Sequence, residues 1–253
     1  MVRGDIRTLL ALALGLVLAG TQAAQPKVKK TFIHGGFVSG TAYLDMPNIR
    51  KIAYVTGLLE GIFLAPKLGG DPKRLRWLAV CTQSAGRRGA RDMIERYLLD
   101  RDRSWKNRNP AKMYRALAAG CRRGPKPSSA TGEVRRDGGY ITGREYLDME
   151  GLQKNAYVAG LVEGVLLGPA FGVNEQVLRP FIDCVDQLHW AGVRKAVNTL
   201  LLADSKLWTE RDPATRYRAI IVGCGLGKIP PKPVTPAKPA KGAKPANGAK
   251  PAG

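Results

Sequence analysis

The 253-residue chain is poor in the residues that build most metal and catalytic sites. It holds two histidines, His34 and His189, and four cysteines, none of which stands in a C-x-x-C pair. Structural zinc sites draw their ligands from such pairs and from clustered histidines, so the composition disfavours zinc. No phosphate-binding loop, nucleotide fingerprint or nucleophile–base pair occurs. We therefore expect no metal or other cofactor and no enzymatic activity.

Acidic residues are also scarce. The chain has 20 Asp and Glu against 41 Lys and Arg, which gives a formal net charge of +21. The charge is uneven: residues 40–121 carry 16 basic and 7 acidic side chains (+9), whereas residues 140–224 carry 9 and 10 (−1). An anionic partner would prefer the first of these segments. Nucleic acid is one such partner, but the N-terminus argues against it.

The longest apolar run lies at the N-terminus. Arg3 and Arg7 precede the apolar residues 9–19, and Thr21-Gln22-Ala23 supplies a small-residue cleavage pattern. This order is typical of a secretory signal, and the run is shorter than the ~20 residues that span a bilayer. An uncleaved anchor is the alternative. We expect a cleaved signal peptide over residues 1–23 and a periplasmic or secreted mature chain without a transmembrane segment.

The chain contains an internal duplication. Residues 54–61 (YVTGLLEG) recur as residues 157–164 (YVAGLVEG), a separation of 157 − 54 = 103 residues. The same separation holds without a gap from Gly40 and Gly143 to Cys121 and Cys224. We therefore predict two tandem units. The predicted segments are a signal peptide (1–23), a basic N-terminal segment (24–39), repeat one (40–121), a linker (122–139), repeat two (140–224) and a disordered Lys/Pro/Ala-rich tail (225–253).

The cysteines follow the repeat, since Cys81 aligns with Cys184 and Cys121 with Cys224. Four cysteines allow three pairings. The duplication favours Cys81–Cys121 and Cys184–Cys224, because each repeat then carries its own bridge. An oxidising compartment permits such bridges. Each would close a loop of 121 − 81 = 40 residues, worth ~3–4 kcal/mol in the chain-entropy model.

The apolar periodicity predicts an all-α fold, because few segments alternate with the period of a strand. Each repeat is expected to form four short helices. In repeat one these cover about residues 45–64, 71–81, 89–99 and 109–121. Capping residues precede first-turn prolines at Asp71-Pro72 and Asn109-Pro110.

The duplicated motif lies on the first helix of each repeat. Glycine inside a helix costs ~0.8–1 kcal/mol relative to alanine, so the paired glycines predict another helix packed close to the backbone. We interpret the motif as a structural element of each unit. Its residues are Tyr54, Gly57, Glu60 and Gly61 in repeat one, and Tyr157, Gly160, Glu163 and Gly164 in repeat two.

Glu60 and Glu163 allow two interpretations. One is a catalytic or ligand-binding acid. The favoured one is a buried carboxylate paired with an arginine that is present in both copies. The available pairs are Arg115/Arg218, Arg91/Arg194 and Arg108/Arg211. The duplicated aromatic residues Tyr43/Tyr146, Trp105/Trp208 and Tyr114/Tyr217 are expected in or beside the core.

Each repeat resembles the Rap/Tai family of type VI secretion immunity proteins. The resemblance rests on the Tyr-Val-x-Gly-x-x-Glu-Gly motif, the mid-unit cysteine (Cys81 or Cys184), the helix at residues 93–98 and a closing helix that ends at Cys121 or Cys224. The family's usual Cys-x-Pro is absent. The resemblance implies a small, secreted, helical inhibitor that binds an effector, often a peptidoglycan-cleaving amidase, and obstructs its active site.

Partner contacts are expected where the copies differ. The loops after the bridged cysteines, residues 82–88 and 185–190, and the basic residues of repeat one are the candidates. The named candidates are Arg87, Arg88, Arg91, Arg101, Arg103, His189 and Trp190. The alternative function is a non-enzymatic envelope structural or stress protein that binds anionic cell-wall or lipid surfaces through its tail and repeat one.

Overall fold

A computed structural model describes residues 36–100, 110–123 and 139–226. Over these ranges the chain is helical apart from turns and one isolated bridge residue, which confirms the all-α prediction for the described part. The predicted signal peptide, the tail from residue 227, and most of the predicted linker lie outside the described residues. So do Arg101, Arg103, Trp105 and Arg108.

The described helices recur in the same order at the separation of the sequence repeat. A short helix, a central helix, a 3₁₀ turn, a long helix and a closing helix follow one another twice. The α-helices are α1 (Gly40–Leu44), α2 (Asn48–Phe63), α3 (Pro72–Asp100), α4 (Pro110–Arg123), α5 (Gly143–Leu147), α6 (Gly151–Leu166), α7 (Glu175–Ala203) and α8 (Pro213–Gly223), with 3₁₀ helices at Ala65–Leu68, Gly168–Phe171 and Ser205–Trp208.

Capping side chains begin the second set of helices. The Asn174 side chain accepts a hydrogen bond from the Gln176 amide at the start of α7, and Asp212 accepts one from Ala214 at the start of α8. Each bond satisfies a backbone donor that has no partner inside its helix. These boundaries are equivalent to the ones that the capping residues Asp71 and Asn109 predict in repeat one.

The long helices α3 and α7 each consist of two helical segments joined at a kink, where the sequence predicts two separate helices. The backbone leaves helical geometry only at Gly86 (φ 66°, ψ 178°) and at His189 (φ 50°, ψ 177°), which are equivalent positions. The predicted break between two helices is therefore present in both repeats, but it is one residue long and not a loop over residues 82–88 or 185–190. A single residue absorbs the change of direction, and the helical turn resumes directly after it.

The central helices α2 and α6 form the core. Every residue from Ala53 to Ile62 on α2, and from Ala156 to Leu166 on α6, is buried. A helix that is buried on all sides lies inside a domain. One hydrophobic cluster draws on both repeats, and the described residues belong to one compact unit.

One disulfide in each repeat joins its long helix to its closing helix. Cys81–Cys121 links α3 to α4, and Cys184–Cys224 links α7 to the end of α8. The Cα atoms are 5.7 Å apart in both bridges. The predicted pairing is confirmed, and no cysteine of the chain is free.

Candidate functional site

The duplicated glycines lie where α2 crosses α6. A Cβ atom added to Gly57 would stand 2.7 Å from the Leu161 nitrogen, and one added to Gly160 would stand 2.8 Å from the Leu58 nitrogen. Atoms do not approach a real Cβ this closely, so only glycine fits. This is the close packing that the glycines predict. The helix that packs there is the equivalent helix of the other repeat.

Glu60 of repeat one is fully buried and bound by repeat two. Its Oε1 accepts hydrogen bonds from the amides of Tyr140 (2.6 Å) and Ile141 (3.1 Å). Its Oε2 accepts from the Tyr157 hydroxyl and from Arg216 Nη2, the latter at 2.8 Å. Arg216 is itself buried and also donates to Tyr157 Oη. Protein groups therefore donate hydrogen bonds to both carboxylate oxygens, which gives Glu60 a structural role.

Glu163 of repeat two makes the equivalent contacts to repeat one and to the segment that directly precedes it. Its Oε1 accepts from the amides of Phe37 (2.5 Å) and Val38 (2.7 Å), and its Oε2 accepts from the Tyr54 hydroxyl. Burial raises the pKa of Glu163 to about 7, against the lowering effect of these three hydrogen bonds.

The two glutamates differ in their positive partner. Arg216 neutralises Glu60, but the equivalent position in repeat one (216 − 103 = 113) is the buried Met113. Among the described residues, no cation is ion-paired with Glu163. The two copies of one motif thus hold carboxyl groups of different electrostatic character.

The predicted pairing of each glutamate with a duplicated arginine is wrong. Arg218 stands two residues, or about 200° around the helix, from Arg216 and faces solvent. Its equivalent Arg115 is also exposed. Of the other candidates, Arg91 bonds Asp92, Arg194 bonds the Gly151 carbonyl, and Arg211 is exposed.

Each repeat also holds the segment that precedes the first helix of the other. The Phe37 ring packs edge-on against Trp190, with centroids 4.4 Å apart. Its equivalent, Tyr140, stacks on Phe63 at 6.3 Å and donates a hydrogen bond to Thr82 Oγ1 at 3.0 Å. Trp190, a predicted partner residue, therefore packs within the scaffold.

The other predicted site residues lie in different surroundings. Arg88 and His189 are exposed, and Arg87 is half-buried. Arg91 belongs to an ion-pair network with Asp92 and Glu95. Of the duplicated aromatic residues, Tyr43 and Tyr146 are fully buried, whereas Tyr114, Tyr217 and Trp208 are half-buried, as expected for core and core-edge positions.

Two equivalent grooves, which sequence reasoning missed, run beside the disulfides. We define groove one, of about 780 Å³, between α3 and α4, and groove two, of about 460 Å³, between α7 and the residues that follow α8. Besides the cysteines, Lys73, Arg76, Trp77, Val80, Tyr114 and Arg122 line groove one. Gln176, Arg179, Pro180, Asp183, Gln187 and Leu226 line groove two.

Groove one is cationic and aromatic. Lys73, Arg76 and Arg122 have no ion-pair partner among the described residues, and no acidic side chain lines the groove. Trp77 is 40 % exposed and lies 6.4 Å from the Tyr114 ring, centroid to centroid. Burial raises the pKa of Tyr114 although Arg122 lowers it, so the phenol stays protonated at neutral pH. Groove two is lined by one cation, Arg179, and one acid, Asp183.

Among the described residues, no three His, Cys, Asp or Glu side chains form a group that could hold a metal ion. Nor does any helix within the described ranges combine the length and apolarity needed to cross a membrane. Comparisons with protein-family models, curated proteins and solved structures found no match.

Proposed function

We propose that this chain is a binding protein of the periplasm or extracellular space that acts by obstructing a protein partner. The observation that carries the proposal is groove one, where an exposed tryptophan stands among three cations that have no ion-pair partner within the described residues. Tryptophan and arginine are the side chains that most often anchor protein interfaces. The two glutamates of the duplicated motif, by contrast, are buried and hydrogen-bonded inside the protein, so the motif offers no free acid for chemistry.

The proposal includes the organisation that the sequence predicts. A signal peptide directs export, two tandem helical units each keep a disulfide, and a basic tail follows. The disulfides agree with an oxidising compartment. The resemblance to Rap/Tai immunity proteins adds the target class, a secreted peptidoglycan-degrading effector.

The test is affinity capture from an envelope extract with the full mature chain as bait. We expect one stoichiometric protein partner, recovered equally well by a chain that lacks residues 228–253. Recovery of murein or lipid alone, lost on removal of the tail, would contradict the proposal.

A second function follows from charge. With 41 basic against 20 acidic residues, the chain is suited to hold anionic cell-wall or lipid surfaces through its tail and repeat one. Such binding weakens as salt screens the charges. A salt-sensitive, tail-dependent association with isolated cell wall or vesicles would favour this function.

A further inference from the structure

The internal repeat supplies a built-in comparison for groove one. Equivalent positions carry Lys73 and Gln176, Trp77 and Pro180, Val80 and Asp183, and Arg122 and Gly225. The scaffold beneath is the same, including a disulfide with a Cα separation of 5.7 Å in both repeats. Groove one therefore differs from groove two by two added cations, an added tryptophan and a missing acid.

We propose that groove one binds an acidic, extended segment of a partner protein. An apolar side chain of that segment covers Trp77, and carboxylates on either side pair with Lys73, Arg76 and Arg122. The inference rests on the proposed binding function and specifies the chemistry of the partner.

The placement of the lining residues supports this ligand. Lys73, Arg76 and Trp77 are spaced i, i+3 and i+4, so they share one face of α3. Arg122, on α4, lines the same groove, and the Cys81–Cys121 bridge joins the two helices. Arginine binds carboxylates through two parallel hydrogen bonds. Walls that are held together in advance lower the entropic cost of binding.

The shape of groove one favours a protein segment over a small molecule. Sites for small ligands enclose most of the ligand surface, whereas groove one is an open surface groove with cations on two helices. Trp77, exposed between those cations, offers an apolar contact that a purely ionic ligand would leave unused. A segment with one apolar side chain flanked by carboxylates satisfies both features.

The test uses a fluorescein-labelled peptide, Glu-Asp-Leu-Asp-Glu with blocked ends, and its amide counterpart, Gln-Asn-Leu-Asn-Gln. Binding to the full mature chain is followed by fluorescence anisotropy. The acidic peptide should bind and the amide peptide should not. Lys73→Glu combined with Arg76→Glu, or Trp77→Ala alone, should weaken binding about tenfold or more.

Groove two provides the matched control. Gln176→Glu combined with Arg179→Glu changes the equivalent positions and should alter affinity by less than about twofold. Circular dichroism and thermal unfolding verify that each variant folds. The charge reversals at Lys73 and Arg76 concern exposed side chains, so they keep the test valid if Trp77→Ala fails to fold.

Several results would overturn the assignment. These are no binding of the acidic peptide, equal losses from the groove-one and groove-two variants, or unchanged binding by the groove-one variants. Phosphatidylglycerol vesicles and single-stranded DNA serve as further probes. If the groove-one variants lose binding to these but keep the peptide, the groove serves lipid or nucleic acid instead. A captured partner that the groove-one variants retain would leave the proposed function standing and refute this site.

Discussion

At the scale of single residues, Glu60 and Glu163 show that equivalent positions of one motif can place the same carboxyl group in two different electrostatic environments. Both are buried, and both bind two backbone amides and a tyrosine hydroxyl of the other repeat. Arg216 accompanies only Glu60, since Met113 stands at its equivalent position. A sequence motif therefore does not fix the charge environment of its members, because the decisive neighbour lies 156 residues away along the chain.

Glu60→Gln should be strongly destabilising. The substitution leaves the buried Arg216 guanidinium without its counter-charge, and breaking such a pair costs about 3–5 kcal/mol. Unfolding in urea, followed by circular dichroism, measures the loss. Glu163→Gln is the matched control, because it leaves no buried arginine without a counter-charge. It also keeps an oxygen that can accept hydrogen bonds from the Phe37 and Val38 amides. Equal losses in the two variants would contradict the role given to Arg216.

Glu163 should make stability depend on pH. In the folded chain it keeps its proton up to about pH 7, against an ordinary pKa of 4.5. Unfolding therefore releases a proton between these values, so stability falls as pH rises through this window. The fall amounts to about 3 kcal/mol at most. The difference in unfolding free energy between the wild type and Glu163→Gln, measured across the window, isolates this contribution. A constant difference would refute it.

At the scale of elements, the crossing of α2 and α6 depends on backbone contact. Gly57→Ala would place a methyl group 2.7 Å from the Leu161 nitrogen, and a backbone atom cannot move aside as a side chain does. We expect a loss of about 1–3 kcal/mol, as for overpacked cores. Gly151→Ala is the control, since its methyl would meet only the end of the Arg194 side chain at 3.4 Å. Thermal unfolding that ranks the two variants equally would count against backbone contact.

The kinks in α3 and α7 predict opposite changes in stability for two substitutions. Gly86 and His189 both have positive φ, which glycine adopts freely and histidine does not. His189→Gly should relieve strain and stabilise by about 1 kcal/mol, whereas Gly86→Ala should destabilise by a similar amount. Apart from the adjoining backbone of the helix itself, no described atom lies within 4 Å of the methyl that Gly86→Ala introduces, so its effect reports backbone strain. Shifts of the same sign in both variants would contradict this account.

Local signals predicted the elements better than they predicted their contacts. Capping residues identified where helices begin, the paired glycines of the motif identified a close helix crossing, and the duplicated cysteines identified both disulfides. Each of these signals acts within one helix or between equivalent positions. The break at residues 185–190 was predicted, but its form, a one-residue kink with positive φ at His189, was not, because histidine is not a usual residue for positive φ. Arg216 and the lining of groove one escaped prediction because they depend on which helices pack against each other.

At the scale of the whole molecule, the two repeats are interlocked. Glu60 holds the segment at Tyr140 and Ile141, while Glu163 holds the segment at Phe37 and Val38. Both disulfides stay within a repeat, so no disulfide joins the halves. The shared hydrophobic core, these reciprocal hydrogen bonds and the Lys67–Asp212 ion pair hold the halves together.

Cutting the chain between the repeats should therefore leave the halves together. A protease site placed within residues 124–138 allows the cut after folding, and gel filtration reports whether the fragments co-elute. We expect co-elution with the disulfides intact. The same cut in a chain carrying Gly57→Ala and Gly160→Ala should release the halves more readily, because each added methyl group would clash with the backbone of the opposite central helix. Fragments of the unsubstituted protein that separate on cutting would show that the linker itself is required.

The reciprocal contacts of α2 and α6 have the form of an isologous interface, in which residue i meets j and j meets i. In a homodimer every substitution appears on both sides of the symmetry axis. Fusion into one chain removes that coupling, so each half can change alone. Arg216 opposite Met113, and a basic groove opposite a neutral one, are such broken symmetries. One half is thereby free to specialise in recognition while the other preserves the framework.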